Sequence, residues 1–223
     1  MNGLTIAFSL LLSVAAPEGE EFVLASPTAC ATIVVPEGEP ECVRLAAGDL
    51  VGDVERITGR ELDVVDRMPE EPRACVVLAT VAVPSSEELV GKLAAEVPSA
   101  LGGEWEAYRV RLIRSGGEDG PPRLLVAGSD PRGTMFGLYA FAERYLGVDP
   151  MYFWSDRPPQ KRPRLAWESV SLESDGPSFH YRGWFINDED LLTEWRLDGG
   201  RRDIRYPFYD RVTSPKVSAR VFE

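Results

Sequence analysis

Apolar residues recur along this chain at two spacings, and the switches between them mark out its elements. Residues 31–35 (Ala-Thr-Ile-Val-Val) form a β-branched run stopped by Pro36, which predicts a strand. Val43, Ala46, Ala47, Leu50, Val51, Val54 and Ile57 then fall at helical spacing, and Gly59 follows as a C-terminal stop. Residues 61–65 read as a short strand. Residues 74–80 (Ala-Cys-Val-Val-Leu-Ala-Thr) are apolar on both faces, as expected of a strand central in a sheet. Ser85-Ser-Glu-Glu88 resembles a capping box, with Leu89, Val90, Leu93 and Ala94 as the apolar side of a short helix.

Tyr108, Val110 and Leu112 alternate with Arg109 and Arg111, the pattern of a half-exposed strand. The Gly- and Pro-rich residues 116–122 predict a hairpin turn, and residues 123–127 the return strand. Asp130-Pro131 opens a helix, because Asp caps well and Pro fits the first helical position. Met135, Leu138, Tyr139, Ala142, Tyr145 and Leu146 line one side of it, and Gly147 ends it. The order of elements predicts an α+β fold, one mixed β-sheet with helices packed on it, over residues 28–150. No Gly-x-Gly-x-x-Gly follows a strand, so nothing supports a dinucleotide fold.

Residues 151–177 read as a linker rich in Pro, Trp and Arg. Residues 151–154 (Met-Tyr-Phe-Trp) are suited to a domain junction, and residues 158–163 to a stiff turn. Residues 179–187 (Phe-His-Tyr-Arg-Gly-Trp-Phe-Ile-Asn) are apolar on both faces and fit a buried parallel sheet or barrel strand. His180 and Arg182 share one face of that strand. A lone strand His is expected to be packed and satisfied, and Arg182 to pair with a carboxylate at the base of a barrel rather than with substrate. Ser214-Pro215 reads as a second helix start, so residues 178–223 are expected to be the truncated start of a further domain.

Composition narrows the functions available. The chain has 223 residues, 44% of them hydrophobic, enough for one domain with a sizeable core and part of another. Its net charge is -12, with no long Lys/Arg cluster, which argues against nucleic acid or an anionic membrane as partner. The single histidine excludes sites that need several imidazoles within this chain. Cys30, Cys42 and Cys75 form no Cys-x-x-Cys pair, so neither a metal nor a redox cofactor is expected. They allow at most one disulfide, and are read first as small apolar residues. Residues 1–16 hold a short apolar run followed by small residues, resembling a secretory signal although no Lys or Arg precedes the run. The run is too short to span a bilayer, which takes about 20 apolar residues. A secreted or periplasmic location is expected.

Two segments carry a resemblance to known families. Residues 128–139 (Gly-Ser-Asp-Pro-Arg-Gly-Thr-Met-Phe-Gly-Leu-Tyr), continued by Tyr145-Leu-Gly-Val148, look like the helix closing the non-catalytic N-terminal domain of several glycoside hydrolases, hexosaminidases and α-glucuronidases among them. Residues 152–156 and 181–189, ending Arg-Gly-Trp-Phe-Ile-Asn-Asp-Glu, resemble glycoside hydrolase family 115, the xylan α-glucuronidases. The resemblance covers roughly residues 28–223. It implies a hexosaminidase-like accessory domain followed by the first strand of a (β/α)8 barrel, a polysaccharide or oligosaccharide substrate, and cleavage by inversion. Residues 190–195 (Asp-Leu-Leu-Thr-Glu-Trp) depart from the α-glucuronidase pattern, which leaves the sugar open.

Barrel sites form at the C-terminal ends of strands, which places Asn187, Asp188 and Glu189 on a rim if residues 179–187 are such a strand. Glycosidic cleavage generally takes two carboxyl groups flanking the bond. Asp188 is the candidate for one of them, with a turn cap as its other reading. Asn187, Glu189, Arg132 and Trp195 are candidates for substrate binding. For Arg132 the reason is that helix N-termini attract anions, although it is equally suited to bridging two domains. Trp154 and Trp184 fit core or interface roles better than sugar stacking. With one barrel strand the chain alone is expected to be inactive. Two other readings remain open at this point: a free-standing carbohydrate-binding module, and part of a hexosaminidase-type enzyme.

Overall fold

The computed structural model describes residues 21–81, 83–86, 101, 103–113, 121–150, 152 and 157–182. The centre is a mixed sheet built from β2 (Thr32–Val34), β3 (Val64–Val65), β4 (Cys75–Thr80), β5 (Tyr108–Ile113), β6 (Arg123–Gly128) and β8 (Ser171–Ser174). Its order is β3-β2-β4-β6-β5-β8. The four strands β3, β2, β4 and β6 run parallel, and β5 is antiparallel to both β6 and β8. A separate antiparallel pair joins β1 (Phe22–Ala25) to β7 (Leu165–Trp167). This is the mixed-sheet α+β architecture expected from the pattern of elements.

β4 is buried along its whole length, as its unbroken apolar run requires of a strand flanked on both sides. Alternation sorts its residues to two faces. Val76 and Leu78 join Ile33, Leu124 and Val126 beneath the helices, while Cys75, Val77 and Ala79 join Leu125, Ala127 and Leu101 on the other side. The helical face is covered by α1 (Glu41–Thr58) and α2 (Pro131–Phe141). α1 presents Val43, Ala46, Ala47, Leu50, Val54 and Ile57 to the sheet, the stripe its spacing predicts. It stops at Gly59, whose φ of 74° is the left-handed conformation that favours glycine.

α2 begins as expected. The Asp130 carboxylate accepts the Gly133 N–H at 2.8 Å, and Pro131 fills the first turn. Its last part is a π-helical turn, Ala142–Leu146, before Gly147.

The stretch 151–177 is more than a connector, because it supplies β7 and β8. β7 carries Leu165 into the main core beside Phe22 and Leu24 of β1. β8 has little apolar character of its own and is held from β5. Arg109 donates to the Ser174 carbonyl (2.8 Å) and the Asp175 carboxylate (2.6 Å), and Arg111 to the Leu172 carbonyl (2.7 Å) and Glu173 (2.5 Å). The same stretch ties off two helix ends. The Arg162 N–H donates to the Ile57 carbonyl at 2.8 Å, and its guanidinium donates to the Leu146 carbonyl.

No disulfide joins Cys30, Cys42 and Cys75. Cys75 is buried and the other two are half-buried against the core. Among the described residues no helix is long and apolar enough to cross a membrane.

Candidate functional site

The two segments that carry the family resemblance each contain an Arg-Gly pair, and their arginines meet at one carboxylate. Glu106 lies between Trp105 and Ala107, at the entrance to β5, and is 3% exposed. Arg132 Nε donates to Glu106 Oε1 at 2.7 Å, and Arg182 donates to Glu106 Oε2. The Glu106 backbone is held as well: its N–H donates to Asp130 Oδ2 at 2.8 Å. Asp130 thus caps α2 with one oxygen and pins Glu106 with the other. Glu106 has a φ of 52°, a left-handed conformation that costs a non-glycine residue about 1–2 kcal/mol. Burial would raise its carboxyl group, but the hydrogen bonds and charges of Arg132 and Arg182 outweigh burial and hold it below the usual carboxylate range.

The backbone packs closely here. The Ser129 N–H donates to the Ala107 carbonyl at 2.9 Å, and the Ala107 N–H to Ser129 Oγ at 3.0 Å. Gly133 sits so near that a Cβ on it would run into the Ala107 carbonyl oxygen. The glycine of the first Arg-Gly pair therefore lets the helix approach β5, and the arginine beside it reaches Glu106.

Beside this cluster lies a cleft of about 400 Å³. Tyr108, Phe136 and Tyr139 form its aromatic wall, and Glu106, Glu143 and Arg182 are its charged residues. Both guanidiniums lie over the Phe136 ring, at 5.3 Å for Arg132 and 5.8 Å for Arg182. Burial, aided by the Glu143 charge, pushes the Tyr108 hydroxyl up, so it stays protonated near neutral pH.

A second polar cluster lies at the C-terminal ends of β4 and β6. Glu39 is buried and accepts the Thr80 N–H (2.8 Å), the Thr80 hydroxyl (2.7 Å) and the Ser86 hydroxyl. Thr80 and Thr134 hydroxyls are 2.8 Å apart, which links the network to α2.

Of the residues singled out from sequence, Arg132 is described, and the anion it meets is a carboxylate of its own chain. Residues 179–182 lie in no strand and are exposed, so the buried strand face expected to hold His180 and Arg182 is not found there. His180 stacks on Trp105 with ring centroids 5.3 Å apart, and Arg182 takes Glu106. Phe179 and Tyr181 are 74% and 98% exposed. Asn187, Asp188, Glu189, Asp190, Trp154, Trp184 and Trp195 lie outside the described residues. So do the leader 1–16, most of the 116–122 turn, the helix after Ser86, the strand beyond Arg182 and the helix start at Ser214.

Glu106 was not singled out from sequence, since its partners are 26 and 76 positions away. The available signal was the pair of Arg-Gly motifs, each expected to pair or bridge, with no acidic partner named for them.

No family model and no curated protein matches the chain. Among solved structures, a GH115 4-O-methyl-α-glucuronidase with specificity for decorated arabinogalactans matches with a TM-score of 0.60 and 26% identity over 76% of this chain. The fold is related to that of a glycoside hydrolase. The chain spans 20% of the length of that enzyme. A Streptomyces plicatus β-hexosaminidase matches more weakly, with a TM-score of 0.41 and 16% identity over 74% of this chain and 25% of its own. The glycoside-hydrolase relation rests on the first of these.

Proposed function

We propose that this chain is the N-terminal part of an α-glucuronidase-like glycoside hydrolase that acts on side chains of plant polysaccharides. Residues 28–150, together with β1, β7 and β8, belong to its accessory domain, and residues 178–223 begin its catalytic barrel. The observation that carries this reading is the similarity to the GH115 enzyme over 76% of the chain. The Arg-Gly-Trp-Phe-Ile-Asn-Asp-Glu segment supports it independently. In this reading Asp188 is one of two catalytic carboxyl groups, and the second comes from residues not in this chain. Inverting cleavage sets such a pair about 6.5–9.5 Å apart, leaving room for the attacking water. Asn187 and Glu189 bind sugar hydroxyls on the same rim, and Trp195 offers a ring face for stacking. Residues 1–16 direct export and are removed.

The test is to express the whole reading frame beside residues 17–223 and measure uronic acid released from decorated arabinogalactan and from glucuronoxylan oligosaccharides. The longer protein is expected to release 4-O-methylglucuronate from at least one of them, and the fragment from neither. Hydrolysis by the fragment, or a longer protein that releases N-acetylhexosamine and no uronic acid, would overturn the reading.

A further inference from the structure

We propose that Glu106 is a positioning residue, a buried carboxylate that binds one guanidinium from each Arg-Gly segment and so fixes where the chain leaves this domain. Four observations bear on it together. The carboxylate is almost fully buried while both guanidiniums reach it from the surface, so Glu106 depends on the two pairs to stay charged inside the domain. Its two oxygens are divided between Arg132 in the first turn of α2 and Arg182 in the departing segment. Its backbone is held in a left-handed conformation by Asp130, the residue that also caps α2. And the departing segment is seated twice, because His180 stacks on Trp105, the neighbour of Glu106.

The Glu106 pairs make the exit direction depend on α2. A shift of the helix start moves Asp130 and Arg132, both of which touch Glu106, and Glu106 in turn holds Arg182. Gly176 adds to the constraint. Its φ is 102°, and a Cβ there would collide with the Trp105 carbonyl oxygen, so the approach to the exit is itself packed against the Trp105–Glu106 backbone.

The consequence concerns Asp188, six positions beyond Arg182. Six residues of chain reach at most about 20 Å, so an anchor at Arg182 limits where Asp188 can be placed. This catalytic consequence rests on the reading of Asp188 proposed above. The anchor itself does not.

The experiment compares Glu106→Gln, Arg182→Gln and the double variant, by hydrogen exchange of peptides spanning residues 178–187 in the 223-residue chain and by activity in the longer protein. Both single variants are expected to speed exchange in those peptides, and the double variant to be no faster than Glu106→Gln alone. Arg182→Gln is expected to do so with a smaller loss of melting temperature than Glu106→Gln, which also releases Arg132. In the longer protein Glu106→Gln is expected to lower kcat on the order of ten- to a hundredfold with KM little changed, the mark of a displaced catalytic group. Unchanged exchange in the single variants, or additive effects in the double variant, would overturn the anchor. Faster exchange with kcat unchanged would overturn its role toward Asp188. A longer wild-type protein without glycosidase activity would count against the proposed function, and the exchange result would still decide the anchor.

Discussion

The Tyr139 hydroxyl donates to Asp49 Oδ2 at 2.7 Å, joining α2 to α1 across the top of the core. Both helices cover the same face of the sheet, so this bond fixes their mutual register rather than adding burial. Tyr139→Phe removes the hydroxyl and leaves the ring in place. It is expected to cost about 1–2 kcal/mol, since the acceptor is a carboxylate. Asp49→Asn should cost less, and the double variant should be sub-additive in urea unfolding. Full additivity would mean that the bond contributes nothing to stability.

Glu39 presents a larger effect. It satisfies the Thr80 N–H, the Thr80 hydroxyl and the Ser86 hydroxyl in a buried setting. Glu39→Ala strands the Thr80 N–H and the Ser86 hydroxyl away from water, at about 1–3 kcal/mol for each group left unsatisfied. The variant is expected to unfold at markedly lower denaturant than wild type. Glu39→Gln keeps an acceptor for the Thr80 N–H and should lose less. A Glu39→Ala protein as stable as wild type would show that water reaches the cluster.

The Glu106 cluster has a predictable pH response. Its carboxyl is held below the usual Glu value of about 4.3 by Arg132 and Arg182, so its stabilising contribution is full above that value. The contribution is lost as pH falls through the lowered folded value. Asp130 faces the Glu106 backbone, and Glu143 and Tyr108 share the cleft. The stability difference between wild type and Glu106→Gln should therefore be flat from neutral pH to about pH 5 and shrink only in stronger acid. Thermal unfolding of both proteins across that range measures it. A difference that disappeared already near neutral pH would contradict the pairing.

Two glycines in helices should respond in opposite directions. Gly48 lies mid-way along α1, exposed, with nothing within 4 Å of an added Cβ. Gly48→Ala is expected to stabilise by about 0.5–1 kcal/mol. Gly133→Ala drives a methyl group into the Ala107 carbonyl and must displace backbone, so several degrees of melting temperature should be lost. Equal effects from the two substitutions would mean that α2 stands farther from β5 than described.

The fold was legible wherever burial imposes a period. The α1 stripe from Val43 to Ile57, the unbroken apolar run of β4 and the Asp130-Pro131 start of α2 follow from side-chain geometry alone. β1, β7 and β8 were not legible, for one reason in the first two and another in the third. β1 and β7 are short and find one another across the chain, where Glu21 and Arg164 pair 143 positions apart. β8 reads as polar because Arg109 and Arg111 hold its carbonyls and acidic side chains, so no apolar alternation is needed. That Arg182 would pair with a carboxylate was readable in the sequence, whereas the strand expected to carry His180 and Arg182 does not include them. Their partners, Trp105 and Glu106, were not readable, because no local spacing links them to residue 180 or 182.

The late pairing of β1 also bears on how the protein is made. Phe22, Leu24 and Ala25 are completely covered once the domain is complete. On the ribosome they are made ahead of every other described strand, yet their strand partner, Leu165–Trp167, is nearly the last part of the described chain to be synthesised. Translation proceeds at about 5–20 residues per second, so this apolar leading strand waits several seconds or longer for its partner. Nascent chains stalled before residue 165 should accordingly be chaperone clients, and chains stalled well past residue 167 should not.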